Sequence, residues 1–91
     1  MKLQDALFNW LQIRLVADVR PDDRAAGETE SFFAEILRDD HKLDNVRIAL
    51  TDDTMVHIQY EQDGKTQTQL FDKEHAEQLL QDIIANPKYN E

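Results

Sequence analysis

The segment from Leu3 to Ala17 constrains the fold most, because its predicted helix is apolar around too much of its circumference. At roughly 100° per residue its apolar side chains cover an arc of about 220°, whereas a helix with one buried face shows little more than about 100°. Such a helix must be covered on two sides. The apolar side chains form two stripes, with Arg14 between them: Leu7, Phe8, Leu11 and Leu15 on one side, and Leu3, Ala6, Trp10, Ile13 and Ala17 on the other.

Two arrangements would cover both stripes of this helix. In the first, one stripe packs on the chain's own core and the other on a second copy around a two-fold axis, the commonest symmetry of soluble oligomers. In the second, other elements of the same chain cover both stripes. We favour the first, because Arg14 enclosed within one copy would need a buried partner. The predicted result is a homodimer through this helix, with an interface of Leu7, Phe8, Leu11 and Leu15.

The composition limits the fold and the chemistry. A chain of 91 residues is expected to form a single compact domain over residues 1–91, and its 41% hydrophobic and 32% charged content is ordinary for a globular protein. The absence of cysteine excludes disulfides, zinc-thiolate sites and a cysteine nucleophile. Polar residues interrupt the first apolar run, and no run approaches the roughly 20 apolar residues of a membrane helix. We therefore expect a cytoplasmic protein without membrane contact.

The net charge is strongly negative and limits the possible partners. The chain carries 19 acidic and 10 basic residues, a formal charge of −9, and its basic residues are scattered along the sequence. Such a surface repels phosphate backbones, so we expect no direct binding of nucleic acid. An acidic surface can also attract a basic partner, which leaves open an acidic decoy that occupies a nucleic-acid-binding protein.

Apolar periodicity predicts an α+β fold with the element order α-α-β-β-β-α. The strands form a three-stranded antiparallel meander with the helices packed on one face. The run from Asp18 to Asp23, with Pro21 suited to a first-turn position, predicts the start of the second helix; the alternative is a later start, near Glu28. The last helix is predicted to have Asp72 as its N-cap and to end at Asn86-Pro87.

The last predicted hairpin can close in two registers. A two-residue Asp63-Gly64 loop would put Gln67 and Gln69 on the core face, whereas a three-residue loop with Gly64 in a left-handed bulge would put Leu70 there. We predict the second register. Its cross-strand pairs are Glu61 with Lys65, Tyr60 with Thr66, Ile58 with Thr68 and Val56 with Leu70. On the opposite face it groups Met55, His57 and Phe71 as a small apolar spot.

Side chains that could carry chemistry are few. Asp39, Asp40 and His41, with Asp44 nearby, contain carboxylate and imidazole ligands for a divalent metal. The same run is also typical of the solvated end of the second helix, where His41 and Lys42 meet the negative end of the helix dipole. We favour this second interpretation, because two adjacent aspartates cannot both face one ion without a dedicated loop. We therefore predict no metal site, no cofactor and no catalytic residue.

These observations together predict a non-catalytic cytoplasmic module for protein interaction or regulation. We expect it to act as a homodimer and to bind another protein. Two alternatives remain open: a small metal-dependent or carboxylate enzyme that uses Asp39, Asp40 and His41, and the acidic decoy.

Overall fold

The computed structural model describes residues 1–85 and has an α+β fold. Three antiparallel strands form a meander in the order β1-β2-β3, and the helices pack against this sheet, as predicted. The predicted end of the last helix, at Asn86-Pro87, lies outside the described residues. The elements are α1 (Leu3–Val19), α2 (Arg24–Asp39), β1 (Asp44–Thr51), β2 (Met55–Gln62), β3 (Lys65–Asp72) and α3 (Lys73–Ala85).

The chain covers both stripes of α1 with its own elements. On one side Leu7 and Leu11 pack in the main core, together with the inward side chains of β2. Near the carboxyl end of the helix, Ile13 and Ala17 of the other stripe pack against a second cluster that includes Ala26 of α2 and Leu80 of α3. This is the second of the two arrangements considered for α1, in which the sheet and two helices enclose it.

Side-chain caps determine where two helices begin. The Asp23 carboxylate accepts a hydrogen bond from the backbone N–H of Ala26 at 3.0 Å, so α2 begins at Arg24, between the two predicted positions. The Asp72 carboxylate accepts one from the N–H of His75 at 2.9 Å. Each carboxylate satisfies a backbone donor that lacks a partner in the first helical turn. The prediction of Asp72 as a cap is confirmed.

The predicted register of the last hairpin is wrong. Gln62 pairs with Lys65 across a two-residue loop, in which Asp63 and Gly64 have φ values of 54° and 78°. Two left-handed residues form the turn that matches the twist of the flanking strands, and Asp-Gly is a preferred sequence for it. The local turn therefore decides the register.

This register places two glutamines on the inner face of β3. The face tolerates them because Gln67 is exposed at the margin of the sheet, while Gln69 is half-buried and donates to the Tyr60 hydroxyl at 3.4 Å. Phe71 also points inward, with its ring centroid 5.8 Å from that of Phe8.

Candidate functional site

The four residues predicted to form an interface on α1 lie in the chain's own core. Leu7 and Leu11 are 0% exposed, and Phe8 and Leu15 are partly buried against the same cluster. This stripe packs inward because the apolar inner face of β2 needs the same cover. Self-association remains a prediction, but these residues do not offer a free surface for it.

Arg14 stays at the surface although it lies between the two apolar stripes. Its side chain is 45% exposed, with Nε 3.1 Å from Asp18 Oδ1 and Nη1 3.2 Å from Glu30 Oε1. The premise that an enclosed α1 must bury this charge is therefore wrong. Solvent and two carboxylates stabilise the guanidinium where it emerges beside β1.

A groove runs beside β1, between the sheet and the first two helices. It consists of two adjoining cavities of about 410 and 250 Å³, which share Trp10, Arg14 and Val46 in their linings. Leu15 and Ile48 add further apolar side chains to the larger cavity. The groove therefore has a mixed lining of apolar and charged side chains along one strand.

The strand beside this groove has a free edge. The order β1-β2-β3 leaves β1 paired with β2 only, so its other row of backbone groups faces away from the sheet. The pairing with β2 is irregular in two places, between Asp44 and Arg47 and between Ile48 and Leu50. Such bulges bend an edge strand and restrict which strands can pair with it.

Formal charges along the groove balance, in contrast to the charge of −9 on the whole chain. The arginines lie beside an equal number of carboxylates, so a segment entering the groove meets no excess of negative charge there. The positively charged residues that line its two cavities are Arg14, Arg38 and Arg47. The negatively charged ones are Asp18, Glu30 and Asp44.

A separate depression lies on α3 but has the wrong lining for a binding site. Its volume is about 600 Å³, and its walls are polar or acidic side chains such as Glu74, Glu77 and Gln78. Ligand pockets are lined mostly by apolar and aromatic groups with a few converging polar ones. The groove beside β1 meets this description better, because apolar side chains such as Trp10 and Ile48 form part of its lining.

A row of three side chains crosses the sheet on the face away from the helices. Leu50, His57 and Leu70 are neighbours on β1, β2 and β3, and the two leucines are 55% and 52% exposed. The predicted grouping of Met55 and His57 with Phe71 is wrong in its third member. Because the hairpin register differs, Leu70 occupies that face and Phe71 the inner one.

A hydrogen bond holds His57 in the middle of this row. Its Nε2 lies 2.8 Å from Oδ2 of Asp52, while Oδ1 of the same carboxylate accepts the backbone N–H groups of Thr54 and Met55. These bonds, that from His57 first, lower the pKa of Asp52 to about 2. The ionised Asp52 therefore closes the turn between β1 and β2.

This low pKa predicts a loss of stability in acid. A carboxyl group whose pKa is lower in the folded than in the unfolded state stabilises the fold above its ordinary value near 3.8. We expect this contribution to disappear as the pH falls from 4 to 2. In thermal melts, Asp52→Asn should be less stable than the wild type at pH 6, and the difference should shrink towards pH 2.

The neighbouring Asp53→Asn is the matched control for this measurement, because Asp53 is exposed and lies in the same turn. It should follow the wild type at every pH. A constant difference between Asp52→Asn and the wild type from pH 6 to pH 2 would contradict the assigned role of the carboxylate.

The structure does not assemble the alternative metal site at the end of α2. The Asp39 carboxylate lies 3.0 Å from Nε of Arg38, and that hydrogen bond lowers the Asp39 pKa. Nε2 of His41 is buried without a hydrogen-bond partner among the described residues. Within residues 1–85, no three side chains of the metal-binding types lie close enough to hold an ion.

A decoy of a nucleic acid would need its acidic residues gathered on one surface. All three helices carry them, and so do both turns of the sheet. Acidic residues do not predominate in two places. In the groove beside β1 the formal charges balance, and at the centre of the outer sheet face charged residues are few.

The sequence analysis missed the groove beside β1, because residues from α1, α2 and β1 meet there only in the folded chain. The charges of the strand gave no signal, because β1 and β3 each carry one acidic and one basic residue. No family model, no curated protein and no solved structure matches this chain. No helix in the described part of the chain is long and apolar enough to cross a membrane.

Proposed function

We propose that this chain is a non-catalytic protein-interaction module that binds an extended segment of another protein along the free edge of β1. The observation that carries the proposal is the combination of an unpaired strand edge with a groove beside it that is lined by apolar side chains and by balanced charges. Addition of a strand to a sheet edge is a recurrent mode of peptide recognition. We also propose the cytoplasmic location that is expected from the sequence.

In strand addition, the free edge of β1 and the groove beside it contribute different interactions. The backbone of β1 supplies hydrogen bonds that do not depend on the sequence of the partner. The groove supplies selectivity, because alternate side chains of an extended segment point to the same face. Trp10, Val46 and Ile48 line the larger cavity of the groove. At about 3.4 Å per residue an eight-residue strand is at most about 27 Å long, and the two bulges of β1 limit regular pairing to part of that length.

Charge defines the chemistry of the partner segment. The formal charges in the groove balance, so the groove accommodates apolar side chains at alternate positions of the segment. The rest of the chain is acidic and attracts positive charge at longer range. The partner segment is therefore extended, apolar at alternate positions and basic at the positions that face solvent.

Selection from a random library of 12-residue peptides displayed on phage tests this function. Peptides with alternating apolar residues and a net positive charge should be enriched on the wild-type chain. Binding of a selected peptide should slow hydrogen exchange at β1 amides that are unprotected in the free protein, and should leave the β3 edge unchanged. Exchange read by NMR separates strand addition from binding elsewhere.

A matched pair of variants locates the contact. Thr51 lines the groove, whereas Thr66 lies on the outer face of β3, and both are exposed strand residues. We expect Thr51→Trp to weaken binding of the selected peptide at least fivefold and Thr66→Trp to leave it unchanged. The proposal is overturned if no peptide is enriched, or if protection appears only outside β1.

A further inference from the structure

We infer that the free edge of β3 pairs with β3 of a second copy of this chain, so that the two sheets join as antiparallel neighbours. The inference does not rest on the proposed function, because β1 and β3 are opposite edges of the sheet. It gives the expected homodimer a contact other than α1.

The edge of β3 lacks the features that usually prevent pairing between edge strands. Proteins protect such edges with bulges, prolines or charged side chains within the strand. The pairing of β1 is irregular in two places, whereas all eight residues of β3 pair with β2 without interruption. The six residues from Thr66 to Phe71 contain no charge, no proline and no glycine. An uncharged segment of this kind on an exposed edge is prone to pair with a copy of itself.

The middle of β3 is accessible on both faces of the sheet. Thr66, Thr68 and Leu70 are exposed on the outer face, away from the helices. Gln67 is exposed on the inner face, because the helix that follows, α3, packs its buried Leu80 with α1 and α2. A second strand can therefore approach this edge.

The backbone groups of alternate residues in β3 point away from β2. Gln62 and Lys65 flank the two-residue loop as a hydrogen-bonded pair, so the odd-numbered residues of β3 bond to β2. The N–H of Lys73, which donates to the Thr54 carbonyl at 2.9 Å, continues this alternation. The residues whose backbone groups form the free edge are Thr66, Thr68 and Leu70.

A two-fold axis perpendicular to the sheet determines the register of the contact. Paired residues must lie on the same face of the joined sheet, so each even-numbered residue pairs with an even-numbered one. Pairing Thr68 with Thr68 of the second copy sets Thr66 opposite Leu70 and gives about six backbone hydrogen bonds. Pairing Thr68 with Leu70 instead would bring Lys65 towards Lys73 of the second copy. The first register is therefore favoured, and a two-fold contact of this kind stops at two copies.

Charges near this contact lie at its ends. Two copies with a charge of −9 each repel one another at long range, and added salt screens this repulsion. Glu61 lies on the adjacent strand, 2.8 Å from Arg47, and β3 separates it from the second copy. The charged residues at each end are Asp63 and Lys65 of one copy and Asp72, Lys73 and Glu74 of the other. Two lysines thus lie among three carboxylates, so we expect a weak dimer that tightens as the salt concentration rises.

Sedimentation equilibrium of the full chain from 10 μM to 1 mM in 0.15 M NaCl tests the inference. The wild type should show a reversible monomer–dimer equilibrium. Thr68→Lys should raise the dissociation constant at least fivefold, because it sets two like charges opposite each other at the two-fold axis. Thr29→Lys is the matched control, since Thr29 is exposed on α2 and the substitution adds the same charge. It should leave the constant within twofold, and circular dichroism should show that both variants are folded.

A single introduced thiol tests the register, because the chain has no cysteine of its own. Residues paired across antiparallel strands have Cα atoms about 5.5 Å apart, within the range that a disulfide spans. With oxidised glutathione as the oxidant, Thr68→Cys should form a disulfide-linked dimer at least tenfold faster than Thr66→Cys. In the second variant the two thiols belong to residues about 14 Å apart, since Thr66 lies opposite Leu70.

Amide exchange read by NMR locates the contact. Exchange at Thr66, Thr68 and Leu70 should be slower at 1 mM than at 50 μM protein. A monomeric wild type at 1 mM overturns the inference, and so does a dimer that Thr29→Lys weakens as much as Thr68→Lys. Equal rates of crosslinking in the two cysteine variants, or concentration-dependent protection at β1 instead of β3, overturn it as well.

Discussion

Replacing Leu11 with alanine is expected to lower the free energy of unfolding by about 3 kcal/mol, within the range found for leucine truncations in closed cores. Leu11 is 0% exposed and packs between α1 and the sheet. The substitution removes its transfer free energy and leaves a cavity that the surrounding elements close only in part. For a domain of this size the melting temperature should fall by more than about 10 °C. Urea unfolding followed by circular dichroism measures the change.

The control and the concentration dependence make this experiment decisive. Phe32→Ala removes a larger side chain that is 56% exposed, and it should change stability by less than about 0.5 kcal/mol. Because Leu11 acts within one copy, the loss should be the same at 5 and 100 μM protein. A loss that depends on concentration would indicate an interface role for Leu11, since association stabilises the folded state by mass action.

Replacing Gly64 with valine should have the second largest effect, a loss of about 2 kcal/mol. Gly64 has a φ of 78°, a left-handed conformation that L residues with branched side chains adopt only at a cost. No atom within 4 Å would block an added Cβ, so the penalty comes from the backbone and not from a clash. The same urea titration measures it.

Asp63 distinguishes the two hairpin registers. It is also left-handed, with a φ of 54°, so Asp63→Val should cost about 1 to 2 kcal/mol. Asp63→Asn is the control and should be nearly neutral, because asparagine adopts this conformation readily. In a three-residue loop, residue 63 would have an ordinary negative φ. A neutral Asp63→Val would therefore contradict the two-residue loop.

Most of the fold could be predicted because the periods of the apolar residues differ between elements. Spacings of three and four residues identify α2 and α3, and alternation identifies β1 and β2. The cap at Asp72 could be predicted as well, since a carboxylate before an apolar helical run satisfies backbone donors locally. These signals act over a few residues, so they can be read without the rest of the chain.

The register of β3 and the candidate sites could not be predicted in this way. For β3, a preferred turn at Asp63-Gly64 competed with the burial of Leu70, and the cost of exposing Leu70 depends on what covers each face. The solvent exposure of Arg14 could not be predicted either, because it depends on the space left between α2 and β1. The groove beside β1 also depends on the distance between α2 and β1 in the folded chain.

By itself, the sequence determined the order of the elements, the absence of cysteine chemistry and the need for α1 to be covered on two sides. Only the tertiary structure decided what covers α1, which face carries Leu70 and which strand edge stays open. The reason is physical: periodicity and capping are short-range, whereas solvent exposure depends on contacts between residues far apart in the chain. Both proposed contact surfaces are of this second kind.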